Sequence, residues 1–101
     1  MVPELEERSS LIAEICRRYD VERLEVFGSA SRGDSAFNDV DLIVRFAHPG
    51  QPGYADRYFE LAEALEQALG RRVDLLTERS LRNPVFVEMV NRDRRTIYAA
   101  A

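Results

Sequence analysis

Apolar residues recur at helical spacing in two stretches of the chain, and each stretch predicts an amphipathic helix. The first helix is expected from about Glu4 to Tyr19, with its apolar positions along one buried stripe. The stripe of the second helix comprises Tyr58, Leu61, Ala62, Leu65, Ala68 and Leu69. Gly70 follows at once, as is typical of the residue after a helix C-terminus. Both helices are therefore expected to pack one face against the protein core.

Three segments have the composition and spacing of β-strands. Arg23–Phe27 alternates between polar and apolar residues and then runs into Gly28, where we expect a tight turn. A longer alternation covers Asp39–Phe46 and predicts the second strand. Arg72–Leu76 is short, rich in branched apolar residues and follows the glycine that ends a helix, so it predicts a third strand.

The last part of the chain predicts one more helix and a short strand. Asn83 followed by Pro84 is typical of an N-cap and a first helical residue, and this helix is expected to run to about Asn91. Arg95–Tyr98 is expected to add a short final strand. The predicted order is α-β-β-α-β-α-β. A chain of 101 residues has the size of one domain, so we expect a single domain over residues 1–101.

Composition and charge exclude several functions. The 14 basic residues are all arginine, so a mechanism that requires a lysine is not open to this chain. The net charge of -4 and the pI near 5.0 argue against general nucleic-acid binding, which favours a basic face. Hydrophobic residues make up 46% of the chain, yet no apolar run approaches the ~20 residues that a membrane span needs.

The single cysteine and the first residues of the chain bear on its location. Cys16 excludes an internal disulfide, fits a reducing compartment and lies in the apolar stripe of the first helix, where we interpret it as a packing residue. The acidic stretch Met1–Ser10 does not resemble a secretory signal. These features predict a soluble cytoplasmic protein.

Two aspartates stand at the start of the second predicted strand. Asp39 and Asp41 are two residues apart, so their side chains leave the same face, with backbones ~6.6 Å apart. Two carboxylates on one face repel each other, and hard oxygen ligands of this kind suit Mg²⁺. If the third strand pairs beside the second, Asp74 adds a third carboxylate. Three carboxylates can hold two metal ions for phosphoryl or nucleotidyl transfer.

Upstream of these aspartates lies a short segment suited to binding phosphate. Gly28 allows backbone N–H groups to approach an anion, and Ser29 adds a hydroxyl donor. Arg32 offers a planar cation to the same phosphate chain, and Gly33 allows the turn that returns the chain. The segment therefore predicts a phosphate site next to the metal-binding carboxylates.

The spacing of these residues resembles that of the DNA polymerase β-like nucleotidyltransferases. The matching positions are Gly28 and Ser29, then nine other residues, then Asp39-Val40-Asp41, and later Asp74. The GSASRG segment and the short chain are similar to minimal nucleotidyltransferases that act as antitoxins beside HEPN-domain ribonuclease toxins. The resemblance covers about Leu24 to Leu76. Ser31 stands where relatives often have alanine, and Asn38 stands where serine is common, but neither change removes a metal ligand.

The resemblance implies a fold, a reaction and roles for the site residues. The fold is α/β (α+β), with a small mixed sheet backed by helices. Asp39 and Asp41 are expected to bind Mg²⁺, with Asp74 as the third carboxylate and candidate general base. Gly28 and Ser29 are expected to contact the triphosphate of ATP. Minimal members transfer AMP from ATP to a hydroxyl, and in the antitoxin group the acceptor is a tyrosine of the HEPN-domain toxin.

Some of these residues also have simpler interpretations. Asp74 could form a surface ion pair with Arg71 or Arg72. Arg32 could be a solvated turn residue. His48, the single histidine, lies in a loop rich in proline and glycine, and we interpret it as a surface residue rather than a nucleotide contact or base.

The last predicted helix is apolar on more than one side. Its apolar residues are Val85, Phe86, Val87, Met89 and Val90. A helix of this kind must be covered, either deep in the domain or by another chain. We therefore expect a partner or self-association surface on this helix, and a homo-oligomer or hetero-oligomer as its consequence.

Two further functions are compatible with the sequence. A non-catalytic antitoxin would mask its partner by contact and use its carboxylates weakly or not at all. A small-molecule nucleotidyltransferase of the aminoglycoside type would use the same carboxylates on a different acceptor. Replacing Asp39 and Asp41 by asparagine separates masking from catalysis.

Overall fold

The computed structural model describes residues 3–32 and 39–100, apart from the side chain of Ser29. Five helices, four strands and a 3₁₀ turn follow one another in the described residues. They are α1 (Pro3–Glu7), α2 (Ser9–Arg18), β1 (Val21–Phe27), α3 (Gly28–Arg32), β2 (Asp39–Phe46), α4 (Tyr54–Leu69), β3 (Arg72–Thr77), the 3₁₀ turn (Glu78–Ser80), α5 (Pro84–Asp93) and β4 (Arg95–Ala99).

The strands form one mixed sheet in the order β3-β2-β1-β4. Strand β1 pairs antiparallel with both β2 and β4, whereas β2 and β3 are parallel. Parallel neighbours need a long crossover, and α4 supplies it between β2 and β3. The predicted mixed sheet backed by helices is confirmed.

The main core lies between one face of this sheet and helices α1, α2 and α4. On the sheet side it contains Val40, Leu42 and Val44 of β2, which alternate along that strand. On the helix side Leu61 and Leu65 of α4 are fully buried. The alternation of β2 and the apolar stripe of α4 therefore have the burial that their spacing predicts.

Helix α5 covers part of the opposite face of the sheet. There Phe27, Ile43 and Val90 form a second, smaller apolar cluster, against which Phe86 and Leu76 also pack. Ile43 occupies a polar position in the alternation of β2, yet only 1% of it is exposed. The reason is that α5 packs on this part of the face, so the strand is buried on both sides there.

Two expectations about local structure are wrong. The predicted first helix is divided at Arg8 into α1 and α2, and the guanidinium of Arg8 donates from Nη1 to the backbone carbonyl of Ala68 at 2.7 Å. Ser9 and Ser10 follow the break, and serine is a weaker helix former than alanine or leucine. The expected tight turn after β1 is instead the short helix α3.

Other element boundaries are close to those expected. Helix α4 ends at Leu69, and Gly70 forms the predicted C-cap, with a φ of 66° and an N–H bond to the Glu66 carbonyl at 2.8 Å. The last strand, β4, is present.

Cys16 is fully buried, and this burial raises the pKa of its thiol to about 12, which agrees with a packing role. Among the helices described in residues 3–32 and 39–100, none combines the length and apolarity that crossing a membrane requires.

Asn83 caps α5 as predicted, and this cap provides a test of the fold. Its Oδ1 accepts from the N–H groups of Val85 at 3.0 Å and Phe86 at 3.4 Å. We expect Asn83→Ala to lower the free energy of unfolding by ~1 kcal/mol, because two helix N–H groups lose their acceptor. Urea denaturation measures this change. Asn83→Asp keeps the acceptor, so a loss of equal size in both variants would contradict the capping role.

Candidate active site

The three predicted aspartates lie on one face of the sheet. Asp39 and Asp41 alternate with the core residues of β2, so both side chains leave the face that α5 partly covers. Strand β3 runs parallel beside β2, and Asp74 is the register partner of Asp41. Neighbouring strands are ~4.8 Å apart, which brings these two carboxylates side by side. The condition for Asp74 to join the other two aspartates, that the third strand pairs beside the second, is met.

A cavity of about 440 Å³ opens next to these carboxylates. Its lining residues are Phe27, Gly28, Arg32, Asp41, Asp74, Leu76, Phe86, Met89, Val90 and Asp93. One part of the wall is acidic, and the other part is apolar and belongs largely to α5. A second cavity of about 370 Å³ lies near Phe46 and Tyr54, and its lining includes none of the predicted site residues.

Gly28 brings the backbone directly against Asp41. Its φ is 71°, a conformation that favours glycine. A Cβ atom at this position would lie 2.7 Å from Oδ2 of Asp41, closer than such atoms approach each other. The left-handed conformation therefore favours glycine, and any larger residue would also force the Asp41 carboxylate to move.

Asp41 carries an electrostatic cost. Burial raises the pKa of its carboxyl above the ordinary value, and the neighbouring charges of Asp74 and then Asp39 raise it further. A carboxylate crowded in this way by two others belongs to a donor set whose repulsion a hard divalent cation relieves. The residues present thus fit Mg²⁺ chemically.

The three carboxylates lie on one face of the sheet but do not form a complete metal-coordination site by themselves. Within the described parts of the chain, no three acidic, histidine or cysteine side chains are close enough to hold a metal ion by themselves. Mg²⁺ typically takes one or two carboxylates and completes its coordination shell with water and substrate phosphates.

Arg32 lies at the cavity wall and is held by a residue that the sequence did not identify. Its Nη1 donates to Oδ2 of Asp93 at 2.6 Å. Ser31, only 2% exposed, donates from its hydroxyl to the backbone carbonyl of Asp93. The serine at this position therefore has a role that alanine could not perform, because it ties α3 to the end of α5. Asp93 is 61 positions from Arg32, so no local pattern could reveal the pair.

The remaining candidates are placed as follows. The side chain of Ser29 and the positions Gly33 and Asn38 lie outside the described residues. His48 is a surface residue as predicted, with Nδ1 2.9 Å from Oδ2 of Asp20, and it does not line the cavity near the aspartates.

Among residues 3–32 and 39–100, no ion pair joins Asp74 to an arginine, and Arg71 pairs instead with Glu4. The surface ion-pair interpretation of Asp74 is therefore not observed.

A cavity lined by Asp41, Asp74 and Gly28, with Asp39 on the same face of the sheet, is suited to transferring phosphoryl or nucleotidyl groups. Comparison with known proteins agrees. The nucleotidyltransferase domain family matches residues 8–97. Protein adenylyltransferase MntA of Thermococcus cleftensis is 37% identical over 86 residues, covering 80% of this chain and 84% of that protein.

Two solved structures show the same fold. One, described as "Structure of putative minimal nucleotidyltransferase", has a TM-score of 0.73 and 36% identity, covering 94% of this chain and 95% of the other. A crystal structure of a toxin-antitoxin with AMP-PNP has a TM-score of 0.68 and 26% identity, covering 91% of this chain and 73% of the other. This chain belongs to the nucleotidyltransferase domain family and has the fold of its minimal members. Its activity class is accordingly that of a nucleotidyltransferase.

Substituting Gly28 tests the approach of α3 to Asp41. We expect Gly28→Ala to lower the free energy of unfolding by ~1–3 kcal/mol, because the new methyl group adds backbone strain at positive φ and collides with the carboxylate. Thermal denaturation measures the loss. The loss caused by Gly28→Ala should be smaller when it is introduced into an Asp41→Ala variant, where the collision is absent, so strictly additive effects of the two substitutions would contradict the contact.

The raised pKa of Asp41 predicts a pH-dependent stability. A folded-state pKa above the ordinary value means that the carboxyl destabilises the fold progressively as pH rises through 3.8 and through its raised value. We expect Asp41→Asn to increase the free energy of unfolding at pH 7 by on the order of 1 kcal/mol, with the gain disappearing at strongly acidic pH. Urea titrations between pH 3 and 7 measure it. Glu63→Gln, on the exposed side of α4, serves as the matched control for the removal of one carboxylate charge.

Proposed function

We propose that this chain transfers AMP from ATP to a hydroxyl group, with Mg²⁺ as cofactor, and acts as an antitoxin toward a HEPN-domain toxin whose tyrosine is the acceptor. The observation that carries the proposal is the pairing of Asp41 and Asp74 on parallel strands, with Gly28 against Asp41. The adenylyltransferase name of the MntA relative and the AMP-PNP in the similar toxin-antitoxin structure support it.

Each site residue has a role in this proposal. Asp39, Asp41 and Asp74 would hold Mg²⁺, which neutralises the charge of the phosphates and of the carboxylates themselves. Gly28 and its neighbours are expected to offer backbone N–H groups to a phosphate chain, and Ser29 is expected to add a hydroxyl donor. Arg32 already faces the cavity, where its guanidinium can turn from Asp93 toward a phosphate oxygen.

The proposed reaction is an in-line displacement at the α-phosphate. The acceptor oxygen forms a bond to the α-phosphorus, and the bond from that phosphorus to the oxygen shared with the β-phosphate breaks. Pyrophosphate leaves, and the hydroxyl proton passes to a carboxylate, a role that we assign to Asp74. Its position suits this task, because it lines the cavity beside Asp41 and remains exposed to an incoming acceptor.

A labelling experiment tests the proposal. Purified protein and its Asp39→Asn/Asp41→Asn variant are incubated with host lysate, Mg²⁺ and ATP labelled at the α-phosphate. We expect one labelled protein with the wild type, and loss of label by on the order of a thousandfold in the double variant, because the phosphate charge is no longer neutralised. Chelation of Mg²⁺ should have the same effect, and mass spectrometry of the labelled protein should locate AMP on a tyrosine.

A matched control and the alternatives complete the design. Asp56→Asn, on the exposed side of α4, makes the same chemical change away from the cavity and should transfer AMP like the wild type. Label on a small molecule would indicate the aminoglycoside-type activity. If the double variant still forms the complex and still protects against the toxin, masking by contact replaces catalysis as the antitoxin mechanism.

A further inference from the structure

Helix α5 presents an uncovered apolar pair to the outside. Val85 is 76% exposed and Met89 is 52% exposed, and they are four residues apart, so they are neighbours on one face of the helix. The described residues contain two other large apolar side chains that are exposed, Leu11 on α2 and Phe59 on α4. Leu11 and Phe59 are on different helices, whereas Val85 and Met89 are adjacent on one helix face.

This pair is continuous with the active-site cavity. Met89 lines the cavity together with Asp41 and Asp74, whereas Val85 lies one helical turn away along α5 and does not line it. A molecule in contact with both α5 side chains would therefore lie at the edge of the cavity that contains the carboxylates.

The helix is held firmly relative to the site. Phe86 packs edge-on against Phe27 of β1 with ring centroids 6.1 Å apart. At the other end of α5, Asp93 accepts hydrogen bonds from Ser31 and Arg32 of α3. A group docked on the outer face of α5 would thus be positioned against the reacting phosphate.

The chemistry of this wall selects the kind of group that fits. The cavity wall changes from apolar at Met89 to acidic at Asp41 and Asp74. A tyrosine side chain shows the same change from apolar to polar along its length, since its ring is apolar and its tip is a neutral hydroxyl. An acidic segment would be repelled by the carboxylates.

We propose that Val85 and Met89 form the docking surface for the acceptor protein, with an apolar, non-acidic segment lying across α5 and its tyrosine directed into the cavity. This inference rests on the proposed AMP transfer. Two side chains are too small an area for a stable dimer of this chain, which needs ~800 Å² from each partner. A transient enzyme–acceptor contact has no such requirement.

The test uses the acceptor protein identified by labelling, purified and varied in concentration. Val85→Asp is expected to lower AMP transfer about tenfold or more at low acceptor concentration, by raising the KM for the acceptor. The affinity for Mg²⁺ and ATP, measured without acceptor, should equal that of the wild type. Val85→Leu keeps the surface apolar and should retain transfer. Phe59→Asp places the same charge at a side chain that is 68% exposed on α4, and should leave transfer unchanged.

Each other outcome overturns the inference in a distinguishable way. Equal transfer by Val85→Asp and the wild type would exclude this surface from acceptor docking while leaving the proposed reaction intact. A loss of ATP affinity in Val85→Asp would assign the surface to the nucleotide. A wild-type dimer that Val85→Asp dissociates would assign it to a second copy of this chain. If the wild type labels no protein at all, the proposed function fails and the docking surface with it.

Discussion

The repulsion between neighbouring carboxylates is the constraint on which the arrangement of this protein depends. Asp41 and Asp74 are register partners on parallel strands, and Asp39 lies two residues away on the same face. Burial and these two neighbours raise the pKa of Asp41, so the fold bears an electrostatic cost at neutral pH. The opposite face of the same strands offsets that cost, because Leu42 and Leu75 belong to the main core.

The face that carries the aspartates is stabilised by α5 and by an ion cluster beyond it. Glu25 is only 8% exposed and is paired with Arg94, the residue after α5, through Nη2 and Oε1 at 2.6 Å. Arg94 also contacts Glu78 at 2.8 Å, and its hydrogen bond to Glu25 raises its pKa above the usual range. A buried carboxylate of this kind requires its cation, so the end of α5 is held in one place. The shape of the cavity follows from that position.

Much of the fold could be predicted from local patterns, and the failures have physical causes. The alternation in β2, the stripe of α4 and the cap at Asn83 are local signals, and all three are confirmed. Ile43 did not follow its polar position in the alternation, because α5 returns from far along the chain to cover it. The short helix α3 was missed, since a glycine after a strand indicates a turn more readily than a helix that begins at positive φ.

For the candidate site, the sequence by itself determined which side chains are candidates for the chemistry. The spacing of Asp39 and Asp41 places both on one face of a strand whatever the rest of the chain does, because side chains alternate along a strand. Only the tertiary structure decided that β3 lies parallel beside β2 and brings Asp74 to Asp41, and that Asp93 holds Arg32. These contacts join distant parts of the chain, and they depend on strand pairing and helix packing that no local pattern encodes.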